Sequence, residues 1–596
     1  MGGTRELTMY AEHFSPTVEG DHYVSLDPAI ETTTEGLELL RCCLTRTLMA
    51  YGSGPDGAVR VMPDLAGGTP TISDDGLTWT FRLRGGLRYA PPLEGVAITS
   101  DDFVRALERA ARQPVTAPYP NYFTPISGYE AVRAGDATMI SGLATPDDRT
   151  LIIHLTRATG DLADRLALPT ASPLPAAAAD LLHDDEAQVQ SYGEFLVSSG
   201  PYMFEGSSAE RLDPAAPAPG AALSSPRSIT LVRNPSWDPA SDPIRSAYVD
   251  RIHISVGGDA TSNSALVESG AVDLQLEVST PVPRALLRRY EDDPSLVDRI
   301  VTWDLASQWA VSMNLAMPPF DDLHVRRAVA FATNTRALVR VLRTVPGYRG
   351  TAATGRLARH VAPDATEADL LTSFDPFPGK VGAERRTRAA VEMTRSRYDT
   401  DGDGRCGAPV CADVPIYSFD SPVARVVLDT LRKDLHPIGI ELVPTFDDAK
   451  TYSIFTGQLR APIFGTLNWA ADYPNASTFF LPMLAGDAIR PGLSMNHSML
   501  GASPSTLRRL GYEVRSVPSI DDRIAACVPL TGEEQTACWA LLDKYVMSKV
   551  VPWVPYFTDT FVSIVSPRVR NVVPDPLTQA PALDQVWLAD GPGGVG

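Results

Sequence analysis

The most regular alternation in the chain is TWTFRLR, residues Thr78–Arg84. Trp79, Phe81 and Leu83 fall on one side, and Thr78, Thr80, Arg82 and Arg84 on the other. This period of two predicts a half-buried strand. The preceding SDDG, Ser73–Gly76, supplies the turn residues of a hairpin. The spacing then becomes helical through Phe103, Leu107 and Ala110, with Ser100 as the predicted N-cap. Asp101 and Asp102 follow in the first turn, where carboxylates suit the positive end of the helix dipole. A further helix is predicted to begin near Asp321, since Val325, Ala328, Val329 and Ala332 lie at i, i+3, i+4 and i+7. A last apolar stripe, Ala537, Leu541, Leu542, Tyr545 and Val546, is closed by Pro552.

Residues 205–227 are rich in Ala, Pro, Gly and Ser and read as a surface excursion, because the strand-like SITLVRNPSW resumes at once. The tail GPGGVG follows no strand–helix unit and opens no helix, so it carries no nucleotide-binding expectation. Strands and helices mix along the whole length without a repeat, which predicts an α/β or α+β protein. At 596 residues, three or four domains are expected. A hydrophobic share of 44% is enough for large cores. The net charge of −20 argues against nucleic-acid or anionic-membrane partners, which need a Lys/Arg surface. No apolar run is long enough to span a bilayer. The opening MGGTRELTMYAEHF has neither a basic n-region nor an apolar h-region, so either the protein is cytoplasmic or a signal segment has been removed, and the Met-Gly-Gly start favours removal.

Of the six cysteines, Cys406/Cys411 and Cys527/Cys538 are close enough to close small loops as disulfides of an oxidising compartment; free buried thiols are the alternative. For the adjacent Cys42 and Cys43 the expectation is a buried pair, or one partner elsewhere, in preference to a disulfide between neighbours. No HExxH, phosphate-binding loop or GxSxG elbow occurs, and the nine histidines are scattered singly, so nothing recommends an enzyme. One acidic cluster does suggest chemistry. Asp399, Asp401 and Asp403 precede Gly404 in a DxDxDG pattern that can surround a hard cation with oxygens. The expected metal positions are Asp399, Asp401, Asp403 and Arg405, for a structural calcium ion. The twelfth position is Val410 where a bidentate Glu belongs, and Asp413 substitutes only if the loop has a different shape. A solvated acidic turn is the other reading.

Several segments, in order along the chain, resemble the oligopeptide/dipeptide (family 5) extracellular solute-binding proteins of ABC importers. They are SLDPAIETTTEGLELL (Ser25–Leu40), SDDGLTWTFRLRGGLRY (Ser73–Tyr89) with ITSDDFVRALERA (Ile98–Ala110), SSGPYMF (Ser198–Phe204) and LVRNPSW (Leu231–Trp237). GAVDLQLE (Gly270–Glu277), MNLAMPPFDDLHVRRAVAFATN (Met313–Asn334), WAADYPNASTFFLPML (Trp469–Leu484) and VVPWVPYF (Val550–Phe557) complete the set. The resemblance implies a two-lobed periplasmic-binding-protein-like α/β fold, of the large three-domain type II variant, with a ligand cleft between lobes. The domains expected from it are a first lobe of 1–45, 181–278 and 553–596, an inserted domain at 46–180, and a second lobe at 279–552.

The resemblance also implies site residues. In peptide-binding members the Asp of the W-x-A-D-Y segment pairs with the ligand's α-ammonium, which here falls on Asp472, with a turn-capping Asp as the alternative; Trp469 and Tyr473 either line the cleft beside it or belong to the core. Glu31, Thr32 and Thr33 resemble a strand edge that pairs with an extended peptide backbone. Tyr119 matches a cleft tyrosine, with Tyr122 equally close, and Asn496 is the choice within SMNHSML. Arg349 and Arg356 lie where a ligand carboxylate could be held, although exposed arginines explain them as well. After Tyr473-Pro474 the sequence NAS departs from the family pattern. The implied role is capture of peptides or peptide-like solutes for an ABC permease by a monomer, tethered as a lipoprotein outside the cytoplasm. Because the scaffold also serves oligosaccharides, metal chelates, haem and opines, a non-peptide solute is the first rival, and a peptide-sensing receptor the second.

Overall fold

The alternation at Trp79 forms a strand over Thr78–Arg82, and Trp79, Phe81 and Leu83 are buried while Arg82 is exposed. It pairs antiparallel with Thr71–Ile72 across the Ser73–Gly76 turn, where Gly76 adopts φ +70°. The computed structural model describes residues 5–12, 25–53, 59–112, 115, 122–182, 192–207, 212, 228–278, 281–345, 348–353, 370–379, 382–447, 460–490 and 495–589. Among these, no helix is long and apolar enough to cross a membrane. The excursion at 205–227 falls almost wholly outside them.

The chain divides into two units, Met1–Trp303 with Phe561–Gly596, and Asp304–Thr560. The first holds a five-stranded sheet in the order Leu274–Gln275, Glu6–Ala11, Arg251–Val256, Ser228–Arg233, Tyr202–Phe204. Glu6–Ala11 runs parallel to both of its neighbours. The register sets Leu7 beside Ile252 beside Leu231, and Met9 beside Ile254 beside Ile229. These six side chains are fully buried in one apolar cluster, the period-two signature of a sheet face turned to a core. Within 46–180 lies a separate four-stranded sheet, Thr71–Ile72, Thr78–Arg82, Thr150–His154, Leu143–Asp147.

In the second unit, Ser307–Met313 lies between Trp553–Ile564 and Ile463–Ala470, and the sheet continues through Val414–Phe419 to the edge strand Leu442–Asp447. The chain enters this unit after Trp303 and leaves it after Thr560, later than the boundaries expected at 278/279 and 552/553. Both passages fall inside strands, Ile300–Asp304 and Trp553–Ile564, which give no compositional mark of a boundary. The two ends of the second unit touch, since Thr560 Oγ1 donates to Asp304 Oδ1 at 2.9 Å. Their neighbours in the first unit also meet, with the Trp303 and Phe561 rings 4.3 Å apart between centroids.

Local chemistry corrects three expectations. The helix Ser100–Ala111 is capped by Thr99, whose backbone N–H donates to the Asp102 carboxylate at 2.9 Å, while Ser100 is buried and donates through Oγ to the Asp147 carbonyl. In the helix Gly532–Tyr545 the buried face runs through Gln535, Trp539, Leu542 and Asp543, and Leu541 is 56% exposed. Trp539 sets that face by stacking on Phe480 at 5.2 Å. Cys42 and Cys43 form a disulfide with each other in the π-helical turn Leu40–Leu44. The other four cysteines pair as Cys406–Cys411 and Cys527–Cys538, so each of the two buried neighbours has only the other to join.

Candidate ligand-binding residues

Asp472 stands at the end of a central strand. After Ile463–Ala470 the chain stays anchored by Ala471, whose N–H donates to the Ala306 carbonyl at 3.0 Å. On one side Trp469 is buried and donates Nε1–H to the Thr478 carbonyl at 2.9 Å. On the other Tyr473 is fully buried, its hydroxyl 3.0 Å from Ser477 Oγ. The two aromatic side chains therefore brace the segment from within. Asp472 itself is half-buried. At the start of the helix Ser477–Leu484, Asn475 Oδ1 accepts from Ser477 N at 2.9 Å.

A second carboxylate in this unit escaped the sequence reading. Asp559, on Trp553–Ile564, accepts from Trp309 Nε1 at 2.5 Å. Burial pushes its carboxyl up to about 6 against the hydrogen bonds from Trp309 and Ser307. Nothing local distinguishes Asp559 in sequence, because its partners lie some 250 residues away.

In the first unit, acidic groups collect where the parallel strands end. Open α/β sheets bind ligands at the carboxyl ends of their strands. Glu12 directly follows Glu6–Ala11, and Glu277 closely follows Leu274–Gln275. The Glu277 carboxylate accepts from Glu12 N at 2.7 Å. Glu35, in the first turn of the helix Thr34–Leu39, accepts from Val278 N at 3.1 Å. Burial, with Glu277 and Glu31 nearby, pushes the Glu35 carboxyl up to about 7 against backbone N–H donation. The sequence reading singled out neither Glu35 nor Glu277, although both stand inside the segments that carry the resemblance.

Glu31, Thr32 and Thr33 do not form the expected strand edge. The Glu31 carboxylate is buried and accepts from Leu26 N, Ser25 Oγ, Thr32 N, Thr33 N and Thr33 Oγ1 at 2.7–3.2 Å. Thr33 caps the helix that follows, accepting from Gly36 N at 3.1 Å. A carboxylate so fully engaged folds the segment into a turn, and only Thr32 is exposed. Asn496 is likewise internal: it is fully buried, donates to the Ala485 and Leu500 carbonyls and accepts from Ser498 Oγ, so it braces a loop instead of meeting a ligand. Tyr119 and Arg356 lie outside the described residues. Tyr122 is buried, and its carbonyl accepts from Arg165. Arg349 is half-buried, its carbonyl accepting from Thr560 N.

The acidic loop of the second unit is assembled as a group. Asp399, Asp401 and Asp403 each offer a carboxylate oxygen within 4.8 Å of the others. Gly402 at φ +78° and Gly404 at φ +82° turn the loop, and both donate backbone N–H to Asp399. Slight burial raises the Asp399 carboxyl, but the Gly404 and Gly402 N–H groups outweigh it and hold the carboxyl below its usual range. Arg405 donates N–H to Asp403 and guanidinium N–H to the Pro437 and His436 carbonyls. The disulfide Cys406–Cys411 follows directly. Asp413 is exposed and stands apart from the group.

Residues 60–490 match the family described as bacterial extracellular solute-binding proteins, family 5. The chain belongs to that family. As a family 5 solute-binding protein it is similar to a solved structure titled clavulanic acid biosynthesis oligopeptide binding protein 2, at 27% identity and a TM-score of 0.76, covering 98% of this chain and 96% of that one. Among curated proteins it is 22% identical over 513 residues to heme-binding protein A of Haemophilus influenzae, covering 85% of this chain and 80% of the relative. It is 21% identical over 511 residues to the periplasmic oligopeptide-binding protein OppA of Escherichia coli, covering 81% and 80%. The fold also matches Haemophilus influenzae OppA in complex with the peptide RPPGFSPFR, with a TM-score of 0.66, 16% identity and 99% of this chain covered. The expected two-lobed α/β fold and the solute-binding role both stand.

Proposed function

We propose that this solute-binding protein captures peptides or peptide-like solutes carrying a free amino group, and hands them to an ABC import permease outside the cytoplasm. The observation that carries this reading is the braced presentation of Asp472. A half-buried carboxylate between two side chains locked into the core is a preorganised partner for an ammonium. Relatives named for oligopeptides support the peptide reading, and a relative named for heme marks the non-peptide alternative. Calorimetry with one peptide in free-amine and N-acetylated forms tests it. The free amine should bind more tightly, and Asp472→Ala should remove about 1.5–3 kcal/mol of that binding, the range for a hydrogen bond to a charged group. Equal affinity of both forms, or an unchanged Asp472→Ala variant, rejects the assignment.

The loop at Asp399, Asp401 and Asp403 is proposed to hold a structural calcium ion, with Arg405 as a further ligand position. The donor set fits, because three carboxylates converge and all offer oxygen, which a hard cation requires. Titration of chelator-treated protein with calcium should release heat and raise the unfolding temperature. No response at millimolar calcium removes the ion. The extracytoplasmic location is supported by the three disulfides, which suit an oxidising compartment.

A further inference from the structure

A small cavity of about 70 Å³ lies wholly within the second unit, lined among others by Asn334, Gly382, Arg385, Arg386, Lys433 and Asp434. That volume is several times what one water molecule needs. Three side chains on its wall are cationic, and they come from two helices, Ala383–Met393 and Pro422–Leu435. Arg385 is half-buried and donates Nη2–H to the Ala330 carbonyl at 2.6 Å, while its Nε–H is buried without a hydrogen-bond partner. Burial lowers the affinity of that guanidinium for its proton, offset by the charges of Asp375 and Asp434. Arg386 is exposed and makes no side-chain ion pair among the described residues. Lys433 is exposed and holds Asp429 at 2.6 Å, which leaves two of its three protons for other acceptors.

One carboxylate stands among these donors. Asp434 accepts from Asn334 N at 2.7 Å and makes no other hydrogen bond among the described residues, so acceptor capacity remains on it. A polar, roomy cavity lined by excess cation is suited to an anion. Sulfate has acceptors only and meets Asp434 as a like charge. Monohydrogen phosphate has acceptors for the guanidinium and ammonium groups and one hydroxyl to donate to a carboxylate.

From this donor–acceptor pattern we infer that the cavity between Asn334, Arg385, Arg386, Lys433 and Asp434 is a binding site for a protonated tetrahedral oxyanion of the phosphate class, separate from the peptide-binding residues. Asp434 serves as the selectivity element, accepting the oxyanion's hydroxyl proton, and the three cations supply the charge. Burial pushes the Asp434 carboxyl up to about 6, with Asn334 N–H and the Arg385 and Arg386 charges opposing, so at neutral pH it is present as the acceptor this requires.

The experiment compares sodium phosphate with sodium sulfate at pH 7.5 and constant ionic strength, using thermal unfolding and phosphorus-31 line broadening on the full chain. Phosphate should raise the unfolding temperature with concentration, as any ligand of the native state does, and its resonance should broaden. Sulfate should give only the shallow, non-saturating rise of an excluded anion. The double variant Arg386→Gln/Lys433→Gln alters exposed side chains only and should weaken phosphate binding by more than about tenfold, since two charge-assisted contacts are lost. Asp434→Asn should admit sulfate. No response of the wild type to millimolar phosphate overturns the site. Wild-type affinity in the double variant overturns the role of the cations, and equal binding of sulfate and phosphate overturns that of Asp434.

Discussion

Arg109 and Asp27 face each other through two parallel hydrogen bonds, Nη1 to Oδ1 at 2.9 Å and Nη2 to Oδ2 at 2.8 Å. Asp27, fully buried, also accepts from Ala29 N and Tyr192 N. The LDP sequence is thus a hub that joins the first segment to the helix Ser100–Ala111 and to the chain near Tyr192. Removing one partner of such a pair strands a buried charge. Arg109→Ala should cost about 3–5 kcal/mol in urea unfolding, and Arg109→Lys, which keeps the charge but not the fork, should recover part of it.

The pH dependence of the first unit should carry a mark of Glu35. Its carboxyl is raised to about 7 in the folded protein, so the folded state holds a proton that the unfolded chain has released above the usual carboxylate range. The stability tied to that proton is complete below about pH 4.3 and is lost as pH rises through 7. Across that interval the loss is about 1–3 kcal/mol. Glu35→Gln should flatten this part of the profile, measured by unfolding at several pH values. A slope identical to wild type contradicts the proton's location.

His497 predicts the opposite slope in the second unit. It is buried against Phe464, with ring centroids 4.5 Å apart, and neither ring nitrogen has a hydrogen-bond partner. Burial lowers its affinity for a proton to about 4. The group is neutral when folded, so the stability it contributes is complete above about pH 6.5 and falls away as pH drops through 4. His497→Phe should remove about 2–3 kcal/mol of acid lability while leaving the unfolding midpoint at pH 8 close to wild type.

Gly200, in SSGPYMF, is fixed by close approach. A Cβ there would lie 2.4 Å from the Cys43 carbonyl oxygen, a backbone atom that cannot rotate away. Gly200→Ala should therefore lower stability by about 1–3 kcal/mol through overpacking, read as a lower unfolding temperature with unchanged far-UV circular dichroism.

Local patterns carried over well because their causes are local. The TWTFRLR alternation, the helix through Val325 and Val329, and the pairing of Cys406 with Cys411 each depend on neighbours a few residues away. Leu541 was misjudged because the buried side of its helix is decided by Trp539 stacking on Phe480, a contact invisible to spacing. Glu31 looked available for a ligand until five donors were seen to surround it. Glu35, Glu277 and Asp559 gain their character from burial by distant segments, and no window of sequence contains that information. The W-x-A-D-Y segment was legible through resemblance, whereas the hydrogen bonds that fix Trp469 and Tyr473 came only from the structure.

The contact between Thr560 and Asp304 makes the second unit a loop in the topological sense: one uninterrupted stretch whose two ends meet. The first unit closes in the same way over the gap, with Trp303 against Phe561. A gene fragment encoding 304–560 could therefore be expressed alone, and a short linker from Trp303 to Phe561 would make the remainder a second, independent product. The proton held by Glu35 and the one refused by His497 could then be titrated on separate fragments.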